Sequence, residues 1–166
     1  VDFVTNKGGG ARVHDSDDFD LQDFLPYLLN QAAEESSLAF QQIYKGRYGM
    51  LRTEWRVLFH LGIYGELTAS EIASRARLHK TKISRAVARM ETRRFLTRER
   101  DATDRRRETL RLTPQGEAAY RDLRTVARAY HASLLDDFSE AEARLLRQML
   151  RRLAWPDAPS PRGPRD

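Results

Sequence analysis

Between positions 21 and 44 the apolar residues Leu21, Phe24, Leu25, Leu28, Leu29, Ala32, Ala33, Phe40, Ile43 and Tyr44 fall mostly three or four apart. That spacing lays one stripe along an α-helix and predicts a first long helix from about Leu21 to Gly46 and Gly49, residues that favour a helix end. Pro26 fits only near its start, where amide hydrogens lack intrahelical partners. Trp55, Leu58, Phe59 and Leu61 predict a second helix from about Thr53 to Leu61, with Gly62 and Gly65 as stops. Thr68-Ala69-Ser70-Glu71 has capping-box spacing and opens a short third helix, Ala69 to about Arg77. A fourth follows tightly, Lys80 to Arg94, with Ile83, Val87 and Met90 on one face.

The period then shortens. Phe95 to Arg100 and Thr109 to Thr113 flank the polar segment 101–107, which predicts a β-hairpin of two short strands. Thr113-Pro114 opens a fifth helix carrying Ala119, Leu123, Val126, Ala127, Tyr130 and Leu134. Ser139-Glu140-Ala141-Glu142 is a second capping box, and the helix it opens carries Leu145, Leu146, Met149, Leu150 and Leu153. Residues 1–18 hold Gly8, Gly9, Gly10 and the acidic cluster Asp15, Asp17 and Asp18 with no period, and residues 155–166 hold four prolines; both read as disordered tails.

The expected fold is therefore mostly α with a small β-wing: a winged helix-turn-helix domain over 51–113, between a helix within 19–50 and two more within 114–154. Composition trims the alternatives. The chain has 166 residues and no cysteine, which excludes disulfides, thiolate zinc sites and cysteine nucleophiles. No apolar run approaches the roughly 20 residues of a membrane span, and Val1 to His14 is not signal-like, so a cytoplasmic place is expected. No phosphate-cradling glycine loop or nucleophile elbow is present, and the four histidines lie far apart, so neither an enzyme nor a metal or other cofactor is expected.

Charge matters more by place than by total. The net charge is +5, yet residues 75–107 contain 13 basic and 4 acidic side chains, so this block carries +9 and the rest −4. A basic block in an otherwise acidic chain is the footprint of a polyanion-binding surface. It coincides with the fourth helix and the hairpin. At 100° per residue the face opposite Ile83, Val87 and Met90 carries Thr81, Arg85, Ala88, Arg89 and Thr92, flanked by Lys82 and Ser84. Arg85 suits a bidentate contact to guanine, while Thr81, Lys82 and Ser84 suit phosphate positioning at the helix N-terminus. In the hairpin segment Arg105 adds charge, and Arg106, oriented by Asp104, suits the minor groove. A winged domain contacting an acidic protein or RNA through the same face stays open as the alternative.

These residues carry a resemblance. Thr53 to Leu58, Leu67 to Ala73, Lys82 to Val87, and above all Arg98 to Arg106 with Leu112-Thr113-Pro114-Gln115-Gly116, resemble the MarR family of bacterial transcriptional regulators. The resemblance implies a homodimer, joined by the first helix and the last two, presenting two winged domains to a pseudo-palindromic double-stranded operator, most often as a repressor. It also implies a crevice that takes a small aromatic or phenolic effector and loosens DNA binding. Tyr27, Tyr44, Arg52, Trp55, Arg56, His60 and Tyr64 offer lining groups, though no family ligand motif falls on them and each taken singly reads first as core packing or helix surface.

Overall fold

The computed structural model describes residues 19–100, excluding the Arg100 side chain, and 108–156. The chain divides into two units, Val1–Ser37 and Leu38–Asp166. In the first, the described part is a turn followed by the opening of helix α1 (Leu25–Tyr48). The Phe19 and Phe24 rings lie 5.2 Å apart, and Leu21, Leu25 and Leu28 are exposed beside them in sequence. The helix starts one turn later than its apolar spacing suggests. A longer helix would set the Pro26 ring against the Gln22 carbonyl four residues back, so the proline fixes the start.

The second unit contains the end of α1, then α2 (Arg52–Tyr64), β1 (Leu67–Thr68), α3 (Ala69–Ala76), α4 (Lys80–Thr92), β2 (Leu96–Arg100), β3 (Glu108–Leu112), α5 (Pro114–Ser133) and α6 (Glu140–Ala154). The capping residues act as their types dictate. Thr68 Oγ1 accepts from the Glu71 amide at 3.2 Å while Glu71 reaches back to the Thr68 amide at 2.7 Å, and Ser139 and Glu142 repeat the exchange. Thr113 Oγ1 accepts from the Gly116 amide at 3.1 Å, with Pro114 in the first turn of α5.

Two glycines read as stops do not stop their helices. Gly62 lies inside α2, where a Cβ would stand only 2.4 Å from the Tyr120 ring, so its role is close approach to α5. Gly46 lies inside α1, where a Cβ would meet nothing within 4 Å. The breaks come at Gly49 and Gly65, whose φ of 56° and 75° are left-handed. The fourth helix likewise ends at Thr92, because Arg94 turns left-handed with φ 61°.

The hairpin has a third strand. β1 pairs antiparallel with β3, Leu67 opposite Leu110 and Thr68 opposite Thr109, while β2 pairs on the other side of β3 from Leu96 opposite Leu112 to Arg100 opposite Glu108. Two residues carry too little alternation to be seen as a strand, and β1 is recruited by β3 rather than by its own pattern. Leu67, Leu96 and Leu110 join Ile72, Ile83, Val87, Met90, Val57 and Leu58 in one core beneath the sheet.

Candidate nucleic-acid interface

α3 and α4 are joined by Arg77, Leu78 and His79, and this turn sets α4 at the surface. Arg77 takes a left-handed φ of 50° and its amide closes α3 onto Ser74. Leu78 is half-buried against the core. His79 caps α4: its Nδ1 accepts from the Thr81 amide at 3.3 Å and lies 3.1 Å from Thr81 Oγ1. Ile83, Ala86, Val87 and Met90 bury the inner face of α4, and Thr81, Lys82, Ser84, Arg85, Ala88, Arg89 and Thr92 are exposed. The helix therefore turns outward the residues its period assigns to that face. Ala86 joins the core unannounced, because a single methyl beside Val87 adds little to the pattern.

The outward cations differ in their bonds. Among the described residues, Arg77, Lys80, Lys82, Arg85 and Arg94 form no ion pair. Arg75 stacks over the Tyr64 ring at 4.4 Å. Arg98 bridges Glu108 at 2.8 Å and Glu91 at 3.2 Å, which fastens the hairpin base to the end of α4. Arg111 and Glu99 pair at 2.6 Å on neighbouring strands.

Arg89 and Arg93 converge on Glu54, the one buried charged residue among those described, 1% exposed on α2. Arg89 Nε donates to Glu54 Oε1 at 2.5 Å, and Arg93 Nη1 lies 3.5 Å from Oε2. Oε2 also accepts the Leu51 amide at 3.0 Å, which closes the start of α2. Arg93 in turn donates to the Tyr48 and Gly49 carbonyls. Beyond them Tyr48 Oη donates to Asp122 on α5 at 2.9 Å, and Arg47 holds the same carboxylate at 2.8 Å. The Arg47 and Tyr48 hydrogen bonds keep the Asp122 carboxyl below its ordinary range, while burial and then Asp122 push the Tyr48 phenol up. Sequence reading passed over Glu54, although it lies on the apolar stripe Glu54, Val57, Leu58 and Leu61, where a carboxylate demands a partner.

Of the residues considered for an effector crevice, Tyr44, Arg52, Trp55 and Arg56 come together, and His60 pairs with Tyr64. Tyr44 is buried, its phenol pushed up by that burial, and it packs with Phe40 and Trp55, centroids 5.5 and 5.7 Å away. Arg52 and Arg56 lie close enough to act on that phenol electrostatically. His60 Nδ1 lies 2.7 Å from the Arg56 carbonyl and its ring faces Tyr64 at 6.0 Å. Tyr27 lies in the other unit, half-buried. A hollow of about 430 Å³ opens elsewhere, over Phe59, Gly62, Ile63, Tyr120 and Arg124. Asp104, Arg105 and Arg106 fall outside the described residues.

A helix pair with a tight turn, an outward basic second helix and a three-stranded wing base defines a winged helix-turn-helix DNA-binding protein. Residues 48–107 match the MarR family model. A MarR family transcriptional regulator from Silicibacter pomeroyi superposes with a TM-score of 0.73 at 30% identity, over 82% of this chain and 97% of that one. The regulator YwoH of Bacillus subtilis, of the helix-turn-helix type, is 28% identical over 104 residues, 63% of this chain and 75% of YwoH. BpsR of Bordetella bronchiseptica, whose DNA binding is regulated by 6-hydroxynicotinic acid, shares the fold at 21% identity, with a TM-score of 0.75 over 86% of this chain and 99% of BpsR. The chain belongs to the MarR family of transcriptional regulators. Among the described residues no helix is long and apolar enough to cross a membrane.

Proposed function

We propose that the protein is a cytoplasmic, non-enzymatic repressor that binds a pseudo-palindromic duplex as a homodimer. The observation that carries this reading is the exposed face of α4, where Thr81, Lys82, Ser84 and Arg85 stand outward, the two cations without an ion pair among the described residues. In this reading Arg85 reads a base edge, Lys82 and the two hydroxyls hold phosphate, and Asp104, Arg105 and Arg106 work in the minor groove. Two-fold symmetry sets the two recognition helices about 34 Å apart.

The dimer is supported by apolar surface that α6 leaves in water. Leu145, Leu146, Met149, Leu150, Leu153 and Trp155 are all exposed, as are Leu134 and Phe138 before the helix. Such a patch on a single chain marks an interaction face. In the first unit Phe19, Leu21, Phe24, Leu25 and Leu28 are exposed too. Segments 19–50 and 114–154 are the dimerisation region and 51–113 the reading domain. A small aromatic or phenolic effector acts by favouring a dimer with mis-spaced recognition helices, a coupling typically worth about 1–3 kcal/mol. BpsR, with its 6-hydroxynicotinic acid, supports an effector of that chemistry.

The test is an anisotropy titration against duplex flanking the protein's own gene, with shuffled duplex as competitor. Competition-resistant binding at one dimer per site is expected, falling roughly 10³–10⁵-fold between 50 and 200 mM salt if 6–10 phosphates are neutralised. Arg85→Ala is expected to relax base preference, and Arg106→Ala to weaken binding with less effect on sequence. Binding indifferent to sequence, with both variants matching wild type, would overturn the reading in favour of a protein- or RNA-contact module.

A further inference from the structure

Arg85 and Arg89 are one turn apart, and period alone makes them equivalent. Their bonds do not. Arg89 is half-exposed at 47%, yet its Nε is committed to a carboxylate that is 2% exposed. Arg93, one turn further, meets the same carboxylate and ties it to the backbone of Tyr48 and Gly49. Resting on the DNA-reading role of α4, we propose that Glu54 and Arg89 are positioning residues for operator recognition: the buried Glu54 carboxylate holds Arg89 off the DNA, and the pair sets the roll of α4 that aims Arg85.

The physical argument has three steps. A carboxylate inside the core is tolerated only when paired, and Glu54 has one guanidinium on each oxygen plus the Leu51 amide, so its bonds are met inside the protein. Two anchors, Arg89 in the last turn of α4 and Arg93 at its C-terminal cap, fix both the rotation of the helix and its position along its axis, where apolar packing of Ile83, Val87 and Met90 against the core is less directional. Base-edge contacts depend on the direction of the bond, so a small roll of α4 degrades them while leaving the attraction to phosphate largely intact. Gly49 completes the arrangement: a Cβ there would stand 3.5 Å from Arg93 Nη2, at a left-handed φ that a side chain strains to adopt.

The experiment uses the full chain and the duplex it enriches from a randomised pool, with shuffled duplex for comparison, across a salt series. Arg89→Ala is expected to lower the preference for the enriched duplex about tenfold while leaving the salt slope unchanged, since no phosphate contact is lost. Glu54→Gln is expected to lower the preference similarly and to steepen the slope by about 0.9, because the released Arg89 becomes available to phosphate. The double variant should match Arg89→Ala, and Arg89→Lys, which keeps a charge beside Glu54, should recover part of the preference. If Glu54→Gln does not fold, Arg89→Ala and Arg89→Lys decide the matter alone. Arg89→Ala with intact preference and a slope shallower by about 0.9 would make Arg89 a phosphate contact and overturn the proposal while leaving the repressor reading intact. A wild-type protein that enriches no duplex would remove both.

Discussion

Gly116, in the first turn of α5, is where that helix meets the base of the wing with no spare room. A Cβ built there would stand 2.0 Å from the Phe95 carbonyl oxygen, 3.0 Å from its carbon and 3.2 Å from Leu112 Cδ2. Carbon-to-oxygen contacts settle at roughly 3.3 Å or more, so Gly116→Ala must push backbone from backbone by about 1.3 Å. The Phe95 carbonyl also accepts the Thr113 amide at 3.1 Å, and Thr113 Oγ1 donates to the Arg94 carbonyl at 2.6 Å. Displacement weakens both, at about 1 kcal/mol each, on top of about 1–3 kcal/mol for overpacking. We expect a loss of about 3 kcal/mol, which for a chain of this size lowers Tm by roughly 6–12 °C. Far-UV circular dichroism melts at fixed protomer concentration read this directly. Gly46→Ala is the control: with nothing within 4 Å and a helical position, it should raise stability by roughly 0.5–1 kcal/mol. A Gly116→Ala melt within about a degree of wild type would refute the steric reasoning.

Other expectations follow from the same geometry. Gly62→Ala should lose about 2 kcal/mol in urea unfolding despite the helix-forming advantage of alanine, because Tyr120 Cγ lies 2.4 Å from the new methyl; a gain would show that the ring retreats freely. Arg77→Gly should stabilise the fold by about 1 kcal/mol, since the left-handed φ of 50° strains any side chain, and an unchanged urea midpoint would contradict that. Asp122→Asn should destabilise at neutral pH by under about 1 kcal/mol, the pair being partly exposed. The Asp122 carboxyl is held below its ordinary value, so its stabilisation is present above the unfolded-state value and vanishes as pH falls through the folded one. The gap between variant and wild type should therefore close in acid, and a gap independent of pH would count against the Arg47 and Tyr48 bonds as its source.

What could be read in the residues was periodic or stereotyped. The α4 stripe of Ile83, Val87 and Met90 assigned its outward face correctly, and Thr68, Thr113 and Ser139 marked three helix starts because a hydroxyl three residues ahead of a free amide has few other uses. What escaped depends on distant neighbours. Gly62 and Gly46 look alike in sequence, and only the Tyr120 ring tells them apart. β1 exists because β3 offers it a partner. Glu54 was visible as a polar residue on an apolar stripe, but its partners lie 35 and 39 positions away, on α4 and at its C-terminal cap, and no local pattern names them. Tyr44 and Trp55 stood out in the sequence only as aromatics, and their packing with Phe40 in one ring cluster depends on contacts between α1 and α2 that no local pattern names.

The central place of β3 bears on how such a regulator diversifies. With β1 on one side and β2 on the other, the base of the wing is spliced into the scaffold that carries α3 and α4, and its register is complete by the pair Arg100 and Glu108. The seven residues 101–107 begin where that register ends. Insertions between Arg100 and Glu108 leave every described strand pairing in place, and the closure entropy of a connecting segment grows only slowly with its length, by about 0.6 kcal/mol per doubling. Lineages are thus free to lengthen, shorten or recharge the tip while the scaffold beneath inherits unchanged, so reach along the duplex and stability of the fold can evolve as separate traits.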